Sequence, residues 1–347
     1  MFLFASDIHL SLVTWQRLPE VNDSLLSFQQ LLSICANKSC PLVLGGDIFD
    51  SVRMTPELLE KVLIIRDQYD IVPIYYINGN HDLIEPSWCS FFNNAYHLGA
   101  QPTTLPGGEV VCGIDFKLSE EFPDAVSKVY PGCDVLVIHQ TLDKLSNNVP
   151  GAIDSSVLRN FNCVLAGDYH VPGSYDNLYS AGSTNRRSIS EPEGCAYMVQ
   201  DNGKTLQKYF LDYRPLVTVR ATDNYDVARQ LLAEKLQINI YSTEKIYVQL
   251  QKGIVVVRGE ITKEVKDYWN TFDPDIAYIL FVPDVKETEN ITVDNAGLVA
   301  ARSSRYYLLS MLEKYPCSEE AKVIIRDYLA HPDMCIEHIK GKLNGRS

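Results

Sequence analysis

Five short apolar runs in the first half of the chain each lead directly into acidic, amide or imidazole side chains. The runs FASDIH, VLGGDIFD, YYINGNHD, LVIH and VLAGDYH deliver Asp7, His9, Asp47, Asp50, Asn80, His81, Asp82, His139, Asp168 and His170. Four of the seven histidines fall at these positions. Because oxygen and imidazole groups occur here without thiolates, the set favours Mn, Fe, Zn or Mg over a structural zinc site built from cysteines.

Each of these motifs alone has an ordinary structural explanation. A single Asp-x-His is typical of a surface loop, and a histidine after an apolar strand, such as His139, is typical of a hydrogen-bonded core residue. All five motifs, however, follow apolar strands, and the ends of such strands meet at one edge of an α/β sheet. Glycines precede Asp47, Asn80 and Asp168 and allow tight turns there. The combination therefore predicts one metal centre, and the other three histidines are expected to be structural or surface residues.

Short strands that alternate with amphipathic helices must position these side chains. Strands are predicted for MFLFASD, PLVLGGD, IVPIYYINGN, EVVCGID, DVLVIH, NCVLAG and LYSAGS. Helices are predicted for LLSFQQLLSICA and, after Thr55 and Pro56, for ELLEKVLIIRDQY. CAYMVQ and KTLQKYFL are expected to form a hairpin closed by Asp201-Asn202-Gly203. This order predicts a layered α/β domain with buried sheets.

The chain divides into three predicted regions. Residues 1–213 contain the layered domain and all of the candidate ligands. Residues 214–285 alternate strand and helix patterns and predict a compact α+β unit. In residues 286–347, a polar linker precedes helical patterns whose apolar faces fit either a partner or the chain's own body.

Composition limits the classes of function. Of the 347 residues, 46% are hydrophobic, which is enough for a sizeable core and argues against general disorder. The net charge of -13 argues against binding a polyanion through the overall field, so a role on nucleic acid needs a local patch, metal ions or a partner. Nine cysteines without zinc-knuckle spacing indicate buried free thiols in a reducing compartment. Because we find neither a signal peptide nor a run long enough to span a membrane, we expect a cytoplasmic protein.

The five motifs together resemble those of calcineurin-type metallophosphoesterases. The closer resemblance is to SbcD-type nucleases of double-strand-break repair, a group that includes phage recombination endonuclease subunits. GGDIFDSVRMTPELL is similar to that group's second motif and following helix, and LYSAGSTNRRS is similar to the segment after its last motif. Motif similarity covers roughly the first 190 residues, and beyond them it is architectural. The resemblance implies two packed sheets flanked by helices, a small α+β capping domain and a helical tail.

The resemblance also implies a role for each motif residue. One divalent metal ion would be held by Asp7, His9, Asp47 and His170. A second ion would share Asp47 and add Asn80, His139 and Asp168. His81 would stand beside the scissile phosphate and protonate the leaving oxygen, since a histidine has a pKa near neutrality. Two cations about 3.5–4 Å apart can bind phosphodiester oxygens, neutralise developing charge and lower the pKa of a bound water.

Four further residues have two interpretations each. Asp50 and Asp82 either orient the ligands through hydrogen bonds or cap loops. Arg186 and Arg187 are candidate DNA contacts, although a pair of arginines is also typical of a solvated loop.

The last motif departs from the family at one position. The family usually has Gly-His-x-His, whereas this chain has Gly167-Asp168-Tyr169-His170. Because a carboxylate is a harder, negatively charged ligand, Asp168 favours Mn²⁺, with Mg²⁺ as the alternative. We expect an intact active site with a changed metal preference; a weakly active site is the alternative.

We therefore expect a metal-dependent DNA nuclease subunit. The resemblance implies an SbcC-type, SMC-like ATPase that docks on residues 286–347, and a homodimer formed by helices at about residues 56–70 and 86–97. A phosphoprotein phosphatase, a small-molecule phosphodiesterase and a catalytically weak scaffold are the alternatives. Phosphoprotein phosphatases of this superfamily carry arginine after the second aspartate of motif two, but here Ser51 follows Asp50.

Overall fold

The computed structural model describes residues 1–12, 23–238, 253–272, 274 and 277–283. Its strands are β1 Phe2–Ala5, β2 Leu42–Gly45, β3 Ile74–Ile77, β4 Ala95–His97, β5 Thr103–Thr104, β6 Val110–Ile114, β7 Val135–His139, β8 Val164–Gly167, β9 Gly173–Tyr175, β10 Leu178–Ser180, β11 Ala196–Gln200, β12 Thr205–Tyr209, β13 Leu216–Arg220, β14 Gly253–Gly259 and β15 Ala277–Pro283. Its α-helices are α1 Asp23–Lys38, α2 Pro56–Gln68, α3 Phe122–Ser127, α4 Tyr225–Ile238 and α5 Lys263–Trp269.

Two six-stranded sheets form the main body. The first has the strand order β12-β11-β1-β2-β3-β4, in which β1 to β4 are parallel and β11 runs antiparallel to both of its neighbours, β1 and β12. The second has the order β5-β6-β7-β8-β10-β9, in which β6, β7, β8 and β10 are parallel. The predicted class, two packed sheets flanked by helices, is confirmed.

Alternation along the strands explains why the sheets pack face to face. Phe2 and Phe4 of β1 lie in a buried cluster with Val137 of the second sheet. Leu3 and Ala5, which point the opposite way, lie in a cluster with side chains of α1 and α2. Each inner strand is therefore buried on both faces, which is why its sequence is an unbroken apolar run.

The region from 86 to 97 differs from the expectation of a helix. A 3-10 helix covers only Trp88–Phe91, and the chain then enters β4, which pairs in parallel with β3. Asn94 adopts a left-handed conformation with φ 57°, which is incompatible with a continuous helix. The buried Arg66 at the end of α2 also donates a hydrogen bond of 2.7 Å to the Asn93 carbonyl. The α2 prediction is confirmed, with Thr55 as its N-cap.

A separate three-stranded sheet follows the main body. Its order is β13-β14-β15, and all three strands are parallel, so each connection between them must cross over; α4 follows β13 and α5 follows β14. Residues such as Val255, Val257 and Trp269 form its own buried core. The predicted strand EKIYVQLQ and residues 286–347 lie outside the described part of the chain.

Candidate metal centre

The candidate ligands lie at the carboxyl ends of five strands from both sheets. Asp7 and His9 follow β1, Asp47 follows β2, and Asn80 follows β3. His139 ends β7, and Asp168 and His170 follow β8. Backbone hydrogen bonds hold the first two loops side by side, because the amides of Asp7 and His9 donate to the carbonyls of Gly46 and Asp47 at 3.1 and 2.9 Å.

Four of these residues adopt a left-handed backbone conformation, with positive φ, that residues other than glycine rarely adopt. The φ angles are 54° at Asp7, 50° at His9, 48° at Asp47 and 77° at Asp168. Such conformations cost about 1–3 kcal/mol each and persist where the surrounding structure enforces them, typically at functional sites. In this centre, these strained conformations direct side chains from separate loops toward one point.

The first cluster joins the loops after β1 and β8. The Nε2 atoms of His9 and His170 lie 3.2 Å apart. His170 Nε2 lies 3.6 Å from Asp7 Oδ1, and His9 Nε2 lies 3.6 Å from Asp47 Oδ2. All four side chains of the first predicted ligand set are therefore brought together.

The second cluster is centred on His139. Its Nε2 lies 3.2 Å from Asn80 Oδ1, 3.4 Å from Asp47 Oδ1 and 4.0 Å from Asp168 Oδ1. Its Nδ1 donates a 2.7 Å hydrogen bond to the carbonyl of Gly45, which leaves Nε2 as the ligand nitrogen. The second predicted set is also brought together.

Asp47 belongs to both clusters through different oxygens. Its Oδ1 faces His139 and its Oδ2 faces His9. Burial raises the pKa of this carboxyl, but the neighbouring His139 and His81 outweigh it, so the net pKa is lowered and the group is ionised. A carboxylate with one oxygen toward each set has the geometry of a bridging ligand.

The environment of the buried Asp7 carboxylate indicates whether these residues fit a metal ion. Asp7 is completely buried, and its Oδ2 has no hydrogen-bond partner among the described residues. Burial raises its pKa, because an isolated negative charge in the interior is costly. A divalent cation would satisfy this oxygen, and the surrounding carboxylate, amide and imidazole groups suit such an ion.

His81 lies at the mouth of the centre. Its ring Nδ1 donates to the Asp50 carbonyl at 2.9 Å, and its backbone amide donates to Asp47 Oδ1 at 2.9 Å. Its Nε2 lies 4.0 Å from Asp47 Oδ2, so His81 could also join His9 and Asp47 around an ion. What distinguishes it from His9, His139 and His170 is exposure, since 25% of its side chain is accessible. That exposure suits a group that meets substrate.

The two flanking aspartates do different things. Asp82 accepts hydrogen bonds from the amides of Ile48, Phe49 and Gly79 at 2.7, 3.1 and 2.7 Å, and therefore ties the second and third loops together. Burial, with the nearby Asp47 charge, raises its pKa to about 6. Asp50 instead faces a ligand, because its Oδ1 lies 3.5 Å from His9 Nδ1.

Three supporting groups carry no sequence signal. The hydroxyl of Thr141 donates to Asp168 Oδ2 at 2.6 Å, and the Gly45 carbonyl orients His139. The buried Glu191 accepts a 3.1 Å hydrogen bond from His170 Nδ1. Burial raises the pKa of Glu191, but His170 outweighs it and the net pKa is lowered. They were missed because a ligand's hydrogen-bond partner can lie anywhere in the chain.

The two candidate arginines bond to different partners. Arg187 bonds to the carboxylate of Asp50, and its Nη1 lies 3.3 Å from His9 Nε2. Arg186 instead pairs with the exposed Glu193 at 2.8 Å. His97, expected to be structural or on the surface, is exposed and forms a 2.9 Å ion pair with Asp115.

A comparison with family models supplies the general activity. The model of calcineurin-like phosphoesterases matches residues 1–242. The chain belongs to this family. Calcineurin-like phosphoesterases hydrolyse phosphoesters with divalent metal ions, and the two clusters provide ligand groups for such ions. A comparison with curated proteins finds no match for this phosphoesterase.

Two further properties of this phosphoesterase are its lack of a membrane-spanning helix among the described residues and the state of its cysteines. In the described part of the chain, no helix combines the length and hydropathy needed to cross a membrane. The seven described cysteines are free and buried, as expected; Cys317 and Cys335 lie outside the described residues.

Proposed function

We propose that this phosphoesterase is a two-metal phosphodiesterase that cuts DNA during the processing of broken ends in recombination and repair. The hydrolytic part rests on one observation, the position of Asp47 between two ligand clusters. The choice of DNA rests on the similarity of GGDIFDSVRMTPELL and LYSAGSTNRRS to SbcD-type nucleases. The serine after Asp50 argues against a phosphoprotein phosphatase.

In this proposal, the mostly buried side chains bind the metal ions, and the more exposed ones face the substrate. Asp7, His9, Asp47 and His170 would hold one ion, and Asp47, Asn80, His139 and Asp168 the other. Two divalent ions, with Mn²⁺ preferred to Mg²⁺, would supply Lewis-acid stabilisation of the phosphate charge. Substrate would approach from the accessible side, where 25% of His81, 34% of Asp50 and 15% of Asp168 are exposed.

His81 is the proposed proton donor. Its Nδ1 is held by the Asp50 carbonyl, and its Nε2 faces the candidate ligands, 4.0 Å from Asp47 Oδ2. A proton placed on Nε2 can pass to the leaving oxygen of the cleaved diester. Of the two arginines, we retain Arg187 as the contact to DNA phosphate, because its guanidinium lies beside His9 and Asp50, whereas Arg186 bonds to Glu193.

The acidic chain is expected to bind DNA weakly by itself, given its net charge of -13. An SbcC-type, SMC-like ATPase bound to residues 286–347 would supply the missing affinity. Deleting residues 286–347 is expected to abolish co-purification of such an ATPase while leaving hydrolysis of a small diester intact. Work on DNA with this partner would take place in the cytoplasm.

A homodimer is the proposed oligomeric state. In the two segments expected to form its interface, about residues 56–70 and 86–97, Leu58, Val62 and Phe92 are buried in the chain's own core. Ile64 on α2 and Phe91 on the following 3-10 helix remain 48% and 57% exposed. These two side chains supply the apolar surface for a second copy.

The test of the nuclease proposal is Mn²⁺-dependent digestion of duplex ends. His81→Ala is expected to lower the rate by about 10²–10⁴-fold, the usual contribution of an acid catalyst. Bound manganese, measured by elemental analysis, is expected to stay unchanged. His97→Ala is the matched control, because His97 is exposed and pairs with Asp115.

Two outcomes contradict the proposal. Cleavage of phosphopeptides or cyclic nucleotides without cleavage of DNA would assign the protein to the phosphatase or small-molecule classes. Loss of bound manganese in His81→Ala would make His81 a ligand instead of a proton donor.

A further inference from the structure

We propose that Glu191 is a positioning residue that ties the first metal cluster to Arg187, the arginine that holds the substrate's phosphate. Its two carboxylate oxygens have separate tasks. One fixes the ring of His170, and the other fixes the backbone of Arg187. The Arg187 half rests on the proposed phosphodiesterase function, whereas the His170 half concerns metal binding alone.

Glu191 holds His170 in the form that a metal ion needs. His170 Nδ1 donates to Glu191 Oε1 at 3.1 Å, and both side chains are more than nine-tenths buried. With its proton on Nδ1, the neutral ring presents the lone pair of Nε2, the atom that lies 3.2 Å from His9 Nε2. A carboxylate partner also makes the ring a stronger donor to a cation.

The second oxygen of Glu191 holds the loop that carries Arg187. Glu191 Oε2 accepts a 2.6 Å hydrogen bond from the Arg187 amide. The guanidinium then reaches into the mouth of the centre, where it bonds to Asp50 and approaches His9 Nε2. A phosphate oxygen bound beside His9 would therefore lie within reach of the same guanidinium, which binds phosphate well through its paired N–H groups.

The neighbouring pair Arg186 and Glu193 shows that this arrangement is specific. These two residues bond to each other at 2.8 Å, and Glu193 is exposed. In the described part of the chain, Glu193 forms its ion pair with Arg186 and not with a candidate ligand. The same loop therefore carries a second glutamate and a second arginine that bond to each other, which makes Glu193 and Arg186 matched controls.

The first test is manganese binding by calorimetry on the full chain, without substrate. Glu191→Gln keeps the shape of the side chain but can accept from only one of the two donors through its single carbonyl oxygen. It is expected to weaken one of two manganese sites by about 10–100-fold and leave the other unchanged. Glu193→Gln is expected to bind both ions as the wild type does.

A merely structural role for Glu191 gives a different result. If Glu191 only anchors the loop, Glu191→Gln lowers the melting temperature in EDTA but binds two ions with wild-type affinity, which overturns the proposal. Should Glu191→Gln not fold, Glu191→Asp preserves the charge and shortens the reach. Equal manganese affinities in Glu191→Asp and the wild type also overturn the proposal.

The second test separates Arg187 from the choice of substrate. With bis(4-nitrophenyl) phosphate, Arg187→Gln is expected to raise KM about tenfold, the loss of one charged contact, with unchanged manganese affinity. Arg186→Gln is expected to match the wild type. If both variants have the wild-type KM and kcat, the Arg187 assignment fails. If DNA is not cut but the small diester shows this pattern, only the DNA proposal fails.

Discussion

At the scale of single residues, each cluster of candidate ligands is held in place by groups from distant loops. Asp7, His9 and His170 follow apolar strands in recognisable motifs, and the structure brings them together. Glu191 and Thr141 lie in loops with no regular pattern, and they matter only because those loops fold back onto the ligands. Hydrogen-bond partners of a ligand depend on loop paths, which local sequence does not encode.

Asp168 stands where the resembling family usually has the first histidine of Gly-His-x-His. Its carboxylate is oriented by the Thr141 hydroxyl and lies 4.0 Å from His139 Nε2. Asp168→His is expected to preserve activity and shift the preference from Mn²⁺ or Mg²⁺ toward ions such as Zn²⁺, because imidazole is a softer ligand. The measurement is the ratio of hydrolysis rates with each ion after complete removal of the native metal.

The control for this substitution is Asp176→His, at an exposed turn after β9. It is expected to leave the ratio of rates unchanged. The assignment of Asp168 is wrong if Asp168→Ala retains both the wild-type metal content and the wild-type rate.

At the scale of elements, the apolar runs predicted the inner strands because burial on both faces leaves little choice of side chain. The edge strand β4 was missed, because its half-exposed sequence AYH carries no such signal. Gly167, the last residue of β8, has a role that the apolar run VLAG alone does not indicate. A Cβ on Gly167 would clash with the Gly45 carbonyl and lie 2.7 Å from His139 Nδ1.

Gly167→Ala is therefore expected to disrupt the hydrogen bond that orients His139. The second metal site is expected to weaken by about tenfold or more, as for other losses of a ligand's supporting bond. Gly173→Ala is the matched control, because a Cβ there meets nothing within 4 Å. Manganese calorimetry on both variants tests this, and equal affinities for the second ion would contradict the assigned role of Gly167.

At the scale of the whole molecule, the layered α/β class and the convergence of five loops followed from sequence. The charge balance of the centre did not, because it depends on how deeply each group is buried. Asp7 is the clearest case, since its carboxylate is completely buried and one oxygen has no partner among the described residues. The metal-free fold therefore carries a buried charge that a bound cation would neutralise.

Asp7→Asn is expected to stabilise the metal-free protein and to remove the stabilisation that the first of the two manganese ions provides. Burial raises the folded pKa of Asp7 above its unfolded value, so between these two values the folded state binds more protons. The stability of the metal-free wild type relative to Asp7→Asn should accordingly fall as pH rises through the folded pKa. With manganese at about 100 times its dissociation constant, the wild type should gain about 2.7 kcal/mol per site. Urea unfolding of both proteins in EDTA and in manganese, across pH, measures these differences. A metal-free Asp7→Asn protein that is less stable than the wild type at neutral pH would show that Asp7 is stabilised by its histidine neighbours without any cation.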